Sequence, residues 1–333
     1  MSHPNNRLPI STPADLLTAV PYLLGFHPTD SLVLVGLAGT RVAVASRTDL
    51  PDPADAVDWA DELMPQQLRM LHHADTTTAI VIGYGPATTV TPVVDTVTPR
   101  LRDARFDVFD ALRVTDRRYF SYLCQEPTCC PVDGVPFDPD RSDLTLHAIV
   151  AGCSTLPDRR ALVASIAPID GPARHAVTRA TYKARARRRA LTVEGGRDAL
   201  IRAGEDIVRA RFARYADDQV LTDNELAWLT VLLPITAIRD TAWRATDSQP
   251  WQLALWSDIT RRAQPDLAAP PASLLAFAAW RSGAGALASV AVDRALQANP
   301  TYSLAQLIDR ALRDGLPPSV LDGWPDQGFP TAP

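Results

Sequence analysis

The chain begins with a polar stretch and then falls into apolar rhythms that change character twice. "TPADLLTAVPYLLGF" (12–26) predicts a short helix, with Thr12 as N-cap and Pro13 at the first helical position, where a missing amide hydrogen costs nothing. Pro21 should end or bend it. "SLVLVGL" (31–37) and "RVAVASRTDL" (41–50) are apolar runs separated by Ala38-Gly39-Thr40, which predicts a hairpin whose second strand turns Val42 and Val44 inward. A helical pattern over 52–75 is followed by a buried strand at "TTAIVIGYG" (77–85), and a further helix is expected from about Thr91 to Ala104. "FDVFDALRVTDRRYFSY" supplies at least one more strand. This order predicts an α/β domain, and the hairpin makes its sheet mixed rather than purely parallel.

"LTLHAIVAGC" (144–153) is either the last element of that domain or its bridge outward. From Asp158 onward helical periodicity takes over. Thr222 followed by Glu225 forms a capping-box pattern, and "SLLAFAAWRSGAGALASVAVDRALQANPTYSLAQLIDRALRDG" predicts three consecutive helices broken at Ser282-Gly283 and Asn299-Pro300-Thr301. The expected organisation is therefore a mixed-sheet α/β domain over 1–155, carrying a cysteine-rich loop at 121–137, and an all-α helical bundle over 156–333 with a basic first part. Ala288, Ala295 and Pro300 suggest half of a tetratricopeptide unit, but its first-helix pattern and a second copy are missing, so a generic bundle is preferred.

Composition adds compartment and charge. No basic segment followed by a signal-like apolar stretch opens the chain, and no apolar run is long enough to cross a bilayer, so a cytoplasmic location without membrane contact is expected. Structural disulfides are uncommon there, which favours free thiols, a metal site or a transient redox pair among the four cysteines. Residues 1–150 carry 11 basic and 19 acidic side chains, whereas 151–214 carry 14 and 6, so the middle of the chain is the expected polyanion-facing surface.

Three cysteines, Cys124, Cys129 and Cys130, fall in "SYLCQEPTCCPVDGVPF". They are candidate metal or redox residues: thiolates are soft ligands, and Cys153, His147 or an aspartate would complete a tetrahedron. The spacing differs from that of common closed zinc sites, and adjacent cysteines usually point apart, so no cofactor is expected and zinc is the ion to test. Cys124 is also a candidate nucleophile, with Arg117 and Arg118 nearby in sequence to favour a thiolate. A reversible disulfide is a third reading. Small thiols packing a proline-rich turn come first.

"FHPTDS" places His27, Asp30 and Ser31 where a helix gives way to a strand, an address suited to acid-base or binding groups, while the same residues also serve as turn and cap partners. Arg47 and Asp49 end the second strand; with Ser31 and Arg117 they are candidate ligand-binding residues, Arg47 holding an anion through its planar fork or pairing with Asp49. Gly83 and Gly85 lack the lysine and spacing of phosphate loops and are read as a strand exit. Arg174, Lys183, Arg185, Arg188 and Arg189 form a candidate nucleic-acid or polyanion face, with a solvated or protein-docked arginine face as the alternative. Trp251 and Trp256 beside Arg244 would suit a peptide partner if they lined a groove rather than a core.

Four blocks, "TPADLLTAVPYLLGFHPTDSLVLVGL", "SRTDLP", "SYLCQEPTCCPVDGVP" and "FAAWRSGAGALASVAVDRALQANPTYSLAQLIDRAL", together resemble the actinobacterial family called domain of unknown function 4192, in the expected order and over nearly the whole chain. The resemblance implies a cytoplasmic actinobacterial protein and brings no catalytic role. The family's habitual residues correspond here to Asp15, Pro21, Gly25, Phe26, Pro28, Ser31, Arg47, Asp49, Cys124, Cys129, Cys130, Pro131, Gly134, Trp280 and Ala288. The functional expectation is a non-enzymatic regulatory or adaptor protein that senses a small anion and presents a helical surface to a protein partner or a second copy of itself. The alternatives are a hydrolase using His27 and Asp30, or a cysteine, with Arg47, and a nucleic-acid-binding protein using 174–189.

Overall fold

The computed structural model describes residues 12–150, 154–216 and 219–323. It divides into two compact units, 1–161 with 313–317, and 162–312 with 318–333. The first carries a mixed sheet and the second is mostly helical, so the α/β plus all-α organisation expected from the sequence is present.

In the first unit, α1 (Pro13–Leu24) starts as its sequence demands: Thr12 receives the Asp15 amide, Asp15 reciprocates, and Pro13 occupies the first turn. Gly25, at φ 82°, closes it in the left-handed conformation that glycine adopts without a Cβ clash. β1 (Ser31–Ala38) and β2 (Arg41–Asp49) form the expected antiparallel hairpin. After α2 (Ala56–His73) come β3 (Thr78–Tyr84), α3 (Ala87–Asp103) and β4 (Asp107–Thr115). β5 (Arg118–Ser121), β6 (Val135–Pro136) and α4 (Asp143–Val150) follow. The sheet order is β2-β1-β3-β4-β5-β6, and only β3 and β4, joined by α3, run parallel.

Leu32 and Leu34 of β1, Val81 of β3 and Ala111 of β4 share one core with Met64 and Leu71 of α2 and Val90, Val94 and Val97 of α3. The alternate residues Val33, Val35, Ile80 and Ile82 are buried too, so the central strands are covered on both faces. α1 packs beside β2 and α4.

Two boundaries differ from the sequence reading. α3 begins at Ala87, four residues before Thr91, because Pro86 provides an extended N-cap and the β-branched run Thr88-Thr89-Val90 hides the first turn. "FDVFDALRVTDRRYFSY" holds two strands, since Asp116 and Arg117 both adopt positive φ (49° and 56°) and form a tight turn in which Arg117 stands where sequence rules expect Gly. The 144–153 stretch supplies α4 as far as Val150.

α5 (Arg159–Ser165) crosses the division of the chain at 161, and the second unit goes on with α6 (Gly171–Ala216), two helical segments meeting at Gly196. α7 (Asp223–Leu232) opens with the Thr222–Glu225 capping box, and α8 (Thr236–Ala245) and α9 (Pro250–Arg262) follow. α10 (Ala269–Arg281), α11 (Gly285–Ala298) and α12 (Ser303–Arg313) are the three consecutive helices the sequence predicts. α10 is buried from Ala269 to Trp280, making it the unit's central helix. Trp256 is fully buried, edge-on to Phe212 and with its indole nitrogen donating to Thr246 at 3.1 Å, so it belongs to the core and lines no peptide groove.

Of the two glycines read as a strand exit, Gly85 follows β3 at φ 146°, while Gly83 lies within the strand and serves packing. A Cβ there would lie 2.1 Å from Val90 Cγ1, so glycine is what lets α3 pack against β3. Valine is stiff in a helix and cannot swing aside. We expect Gly83→Ala to cost about 1–3 kcal/mol in urea unfolding, the usual penalty of overpacking. Val90→Ala in the same chain should recover part of that loss; strictly additive losses would show that the close approach is not the reason for the glycine.

Candidate functional site: the β5–β6 cysteine loop

β5 and β6 are the antiparallel arms of a hairpin at the edge of the sheet, and residues 122–134 form its long tip. Its first anchor is Ser121, whose hydroxyl donates to Asp110 Oδ1 (2.7 Å) and accepts the amides of Leu123 (3.2 Å) and Cys124 (3.0 Å). The Tyr122 amide donates to the Ala111 carbonyl at 2.8 Å, and its phenol meets the Thr91 hydroxyl on α3 at 2.8 Å. The chain leading into Cys124 is therefore fixed to both β4 and α3.

The second anchor is one turn of helix-like backbone. The Glu126 carbonyl accepts the amides of both Cys129 (3.1 Å) and Cys130 (2.7 Å). Neighbouring side chains in such a turn are about 100° apart rather than pointing to opposite sides as in a strand. The expectation that Cys129 and Cys130 diverge is thereby corrected: their sulfurs are 3.8 Å apart.

The third anchor closes the loop. The Gly134 amide returns to the Pro131 carbonyl at 2.8 Å, and Gly134 holds φ 75° with the Phe120 ring 2.7 Å from where a Cβ would be. The Arg113 guanidinium lies 3.8 Å over that ring, and Arg118 donates to the carbonyls of Asp133 (2.6 Å) and Gly134 (3.0 Å).

Together these anchors bring the sulfurs of Cys124, Cys129 and Cys130 within 4.8 Å of one another. This cluster is capable of coordinating a metal ion. No fourth Cys, His, Asp or Glu among the described residues joins it, and Cys153, the suggested fourth ligand, lies outside them. His147 is on α4, its Nδ1 bonded to the Asp143 carbonyl at 2.7 Å. The Cys124 thiol is shifted below its ordinary range by the Glu126 amide and then by hydrogen bonds from the Cys130 and Cys129 thiols. Cys130 moves the other way, to about 12, through desolvation and its bond to Cys124. Neither arginine contributes to the Cys124 shift, because Arg117 pairs with Asp138 and Asp140 while Arg118 is spent on carbonyls.

The remaining candidates lie apart. His27 Nε2 meets the Thr155 hydroxyl at 3.1 Å and has no hydrogen bond to Asp30 among the described residues. Asp30 sits at φ 44°, and its carbonyl accepts the Leu50 amide. Ser31, fully buried, donates to the Thr29 carbonyl. Arg47 pairs with Asp49 at 2.5 Å and donates to the same Thr29 carbonyl at 3.1 Å, with its side chain only 11% exposed. Arg117 shares that rim of the sheet, but it sits in the β4–β5 turn, and β1 and β3 lie between that hairpin and β2. Three to four strand spacings put the two arginines roughly 14–19 Å apart. In the second unit Arg174 donates to the Ala263 carbonyl at 2.8 Å, Arg185 pairs with Asp266, Arg188 reaches the Val231 carbonyl at 3.3 Å, and Lys183 and Arg189 are exposed.

The thiol shifts have a direct readout in the metal-free protein. Cys124 and Cys130 are both half-buried, so access alone does not separate them. Because Cys124 ionises first, its iodoacetamide rate should level off at a lower pH, while the Cys130 rate keeps climbing towards pH 12. Peptide mapping of the alkylated sites across pH checks this, and equal rates and midpoints would contradict the hydrogen-bonded arrangement.

No curated protein and no solved structure matches this chain. One family model does, over residues 13–319, from the first residue of α1 to the turn after α12 and with the whole cysteine loop inside it. The chain belongs to the family described as Domain of unknown function (DUF4192).

Proposed function

We propose that this protein is a metal-responsive regulatory protein that takes a thiophilic ion on Cys124, Cys129 and Cys130 at the tip of the β5–β6 hairpin. The observation that carries the reading is the approach of three sulfurs to within 4.8 Å on a loop tied down at three points. Thiolate ligands select Zn²⁺ and Cu⁺ over harder cations. Zinc would add a fourth ligand from outside the trio, in keeping with its tetrahedral preference.

A regulatory role fits better than a catalytic one because no histidine or carboxylate among the described residues joins the cluster as a general base. Ion binding would replace weak S–H contacts by metal–sulfur bonds and fix the tip, where Val132 is 94% exposed. That exposed tip is the surface a protein partner would read. No helix among the described residues is long and apolar enough to cross a membrane.

Purification without chelator, followed by elemental analysis and thiol counting, tests this directly. One equivalent of zinc or copper with three protected thiols is expected, and C124S, C129S or C130S should lose the ion while keeping the native circular dichroism spectrum. Ser121→Ala, which frees the Cys124 amide, should weaken binding about 10–100-fold, the usual cost of an outer-shell partner. Protein that takes up no ion, or keeps it equally well in all three serine variants, would refute the reading; loss of two thiols on mild oxidation without metal uptake would replace it with a redox loop.

A further inference from the structure

In the second unit, Arg185, Arg188 and Arg189 lie at spacings of three and four residues and so share one face of α6. They border an open cavity of about 690 Å³, with Val231 from the end of α7 and Asp266 and Leu267 from the turn before α10 on its other sides. The size is that of a small-molecule site. Its charge is lopsided: three guanidiniums face one carboxylate. Asp266 is paired with Arg185, Arg188 gives one long bond of 3.3 Å to the Val231 carbonyl, and Arg189 has no partner among the described residues. Beneath the arginines the lining is largely apolar, with Leu267 only 7% exposed.

A cleft with unspent guanidinium donors above an apolar floor suits an anion with an apolar body. Guanidinium forks match phosphate oxygens in pairs, which a carboxylate-poor, arginine-rich rim favours. A polynucleotide fits less well. Its contacts would call for a continuous row of free cations, whereas Arg174 is tied to the end of α9 and Arg185 to Asp266. We propose that this cleft binds a small phosphomonoester, its phosphate held by Arg188 and Arg189 and its apolar group seated on Val231 and Leu267.

Titration calorimetry on the full chain with phenyl phosphate, inorganic phosphate and a single-stranded oligodeoxynucleotide tests it. Phenyl phosphate should bind at least about tenfold tighter than inorganic phosphate, as burial of a ring implies. Arg188→Ala and Arg189→Ala should each weaken phenyl phosphate at least about tenfold, with thermal melting confirming the fold. Arg179→Ala, an exposed arginine of α6 outside the cleft, should change nothing. Asp266→Asn should strengthen binding, an effect that general loosening of the unit would not produce. Equal affinity for the two phosphates, or indifference to Arg188 and Arg189, would overturn the proposal. So would tight, steeply salt-dependent oligonucleotide binding that falls equally with Arg179→Ala, which would identify an unspecific polyanion face.

Discussion

The Glu126 carbonyl accepts two amides, those of Cys129 and Cys130, and the chemistry available to the first unit depends on that turn. In an extended backbone the two adjacent cysteines would face opposite sides and one sulfur would be lost to the cluster. Wound into a turn, they approach each other and Cys124 together. The Glu126 residue acts twice, because its amide also stabilises the Cys124 sulfur as a thiolate. Deprotonated sulfur is the form that binds metal, so Glu126 sets the geometry of the trio and favours the thiolate of one of its members, Cys124.

A turn of this kind would not persist on a free strand. Two strands and a helix make it permanent. β4 contributes Asp110, which fixes Ser121, and Ala111, which fixes Tyr122; α3 contributes Thr91; β5 contributes Phe120, against which only a glycine can close the loop. β4 is in turn held parallel to β3 by the crossover of α3, whose close approach relies on Gly83. A chain of contacts thus leads from the core to the exposed sulfurs, with each link made of atoms that sequence alone leaves unconnected.

Local rules read the helix starts well. Thr12 with Pro13, and Thr222 with Glu225, act within four residues of themselves, so their capping geometry was legible from spacing. The hairpin of β1 and β2, and the helix breaks at Gly283 and Asn299, were legible for the same reason. The β4–β5 turn was not, because Asp116 and Arg117 take left-handed conformations that only the pairing of their flanking strands enforces. The cysteine cluster was half legible: the density of thiols drew notice, but spacing argued against convergence. Ser121, Asp110 and Phe120 gave no signal at all, since their roles exist only once β4 and β5 are paired. Gly134, three residues after Pro131, was the one visible hint of a tight closure. Arg47 and Arg117 differ: pairing with Asp49 was one of the two readings offered for Arg47, whereas the Asp138 and Asp140 partners of Arg117 are supplied only by folding.

X-ray absorption at the zinc edge, on protein loaded with one equivalent of zinc, tests most directly whether the three sulfurs act as one ligand set. Three sulfur neighbours at about 2.3 Å, with any further ligand a lighter atom, are the expected result. A shell of nitrogen and oxygen alone, or a single sulfur, would mean that the turn at Glu126 packs its cysteines without serving a metal.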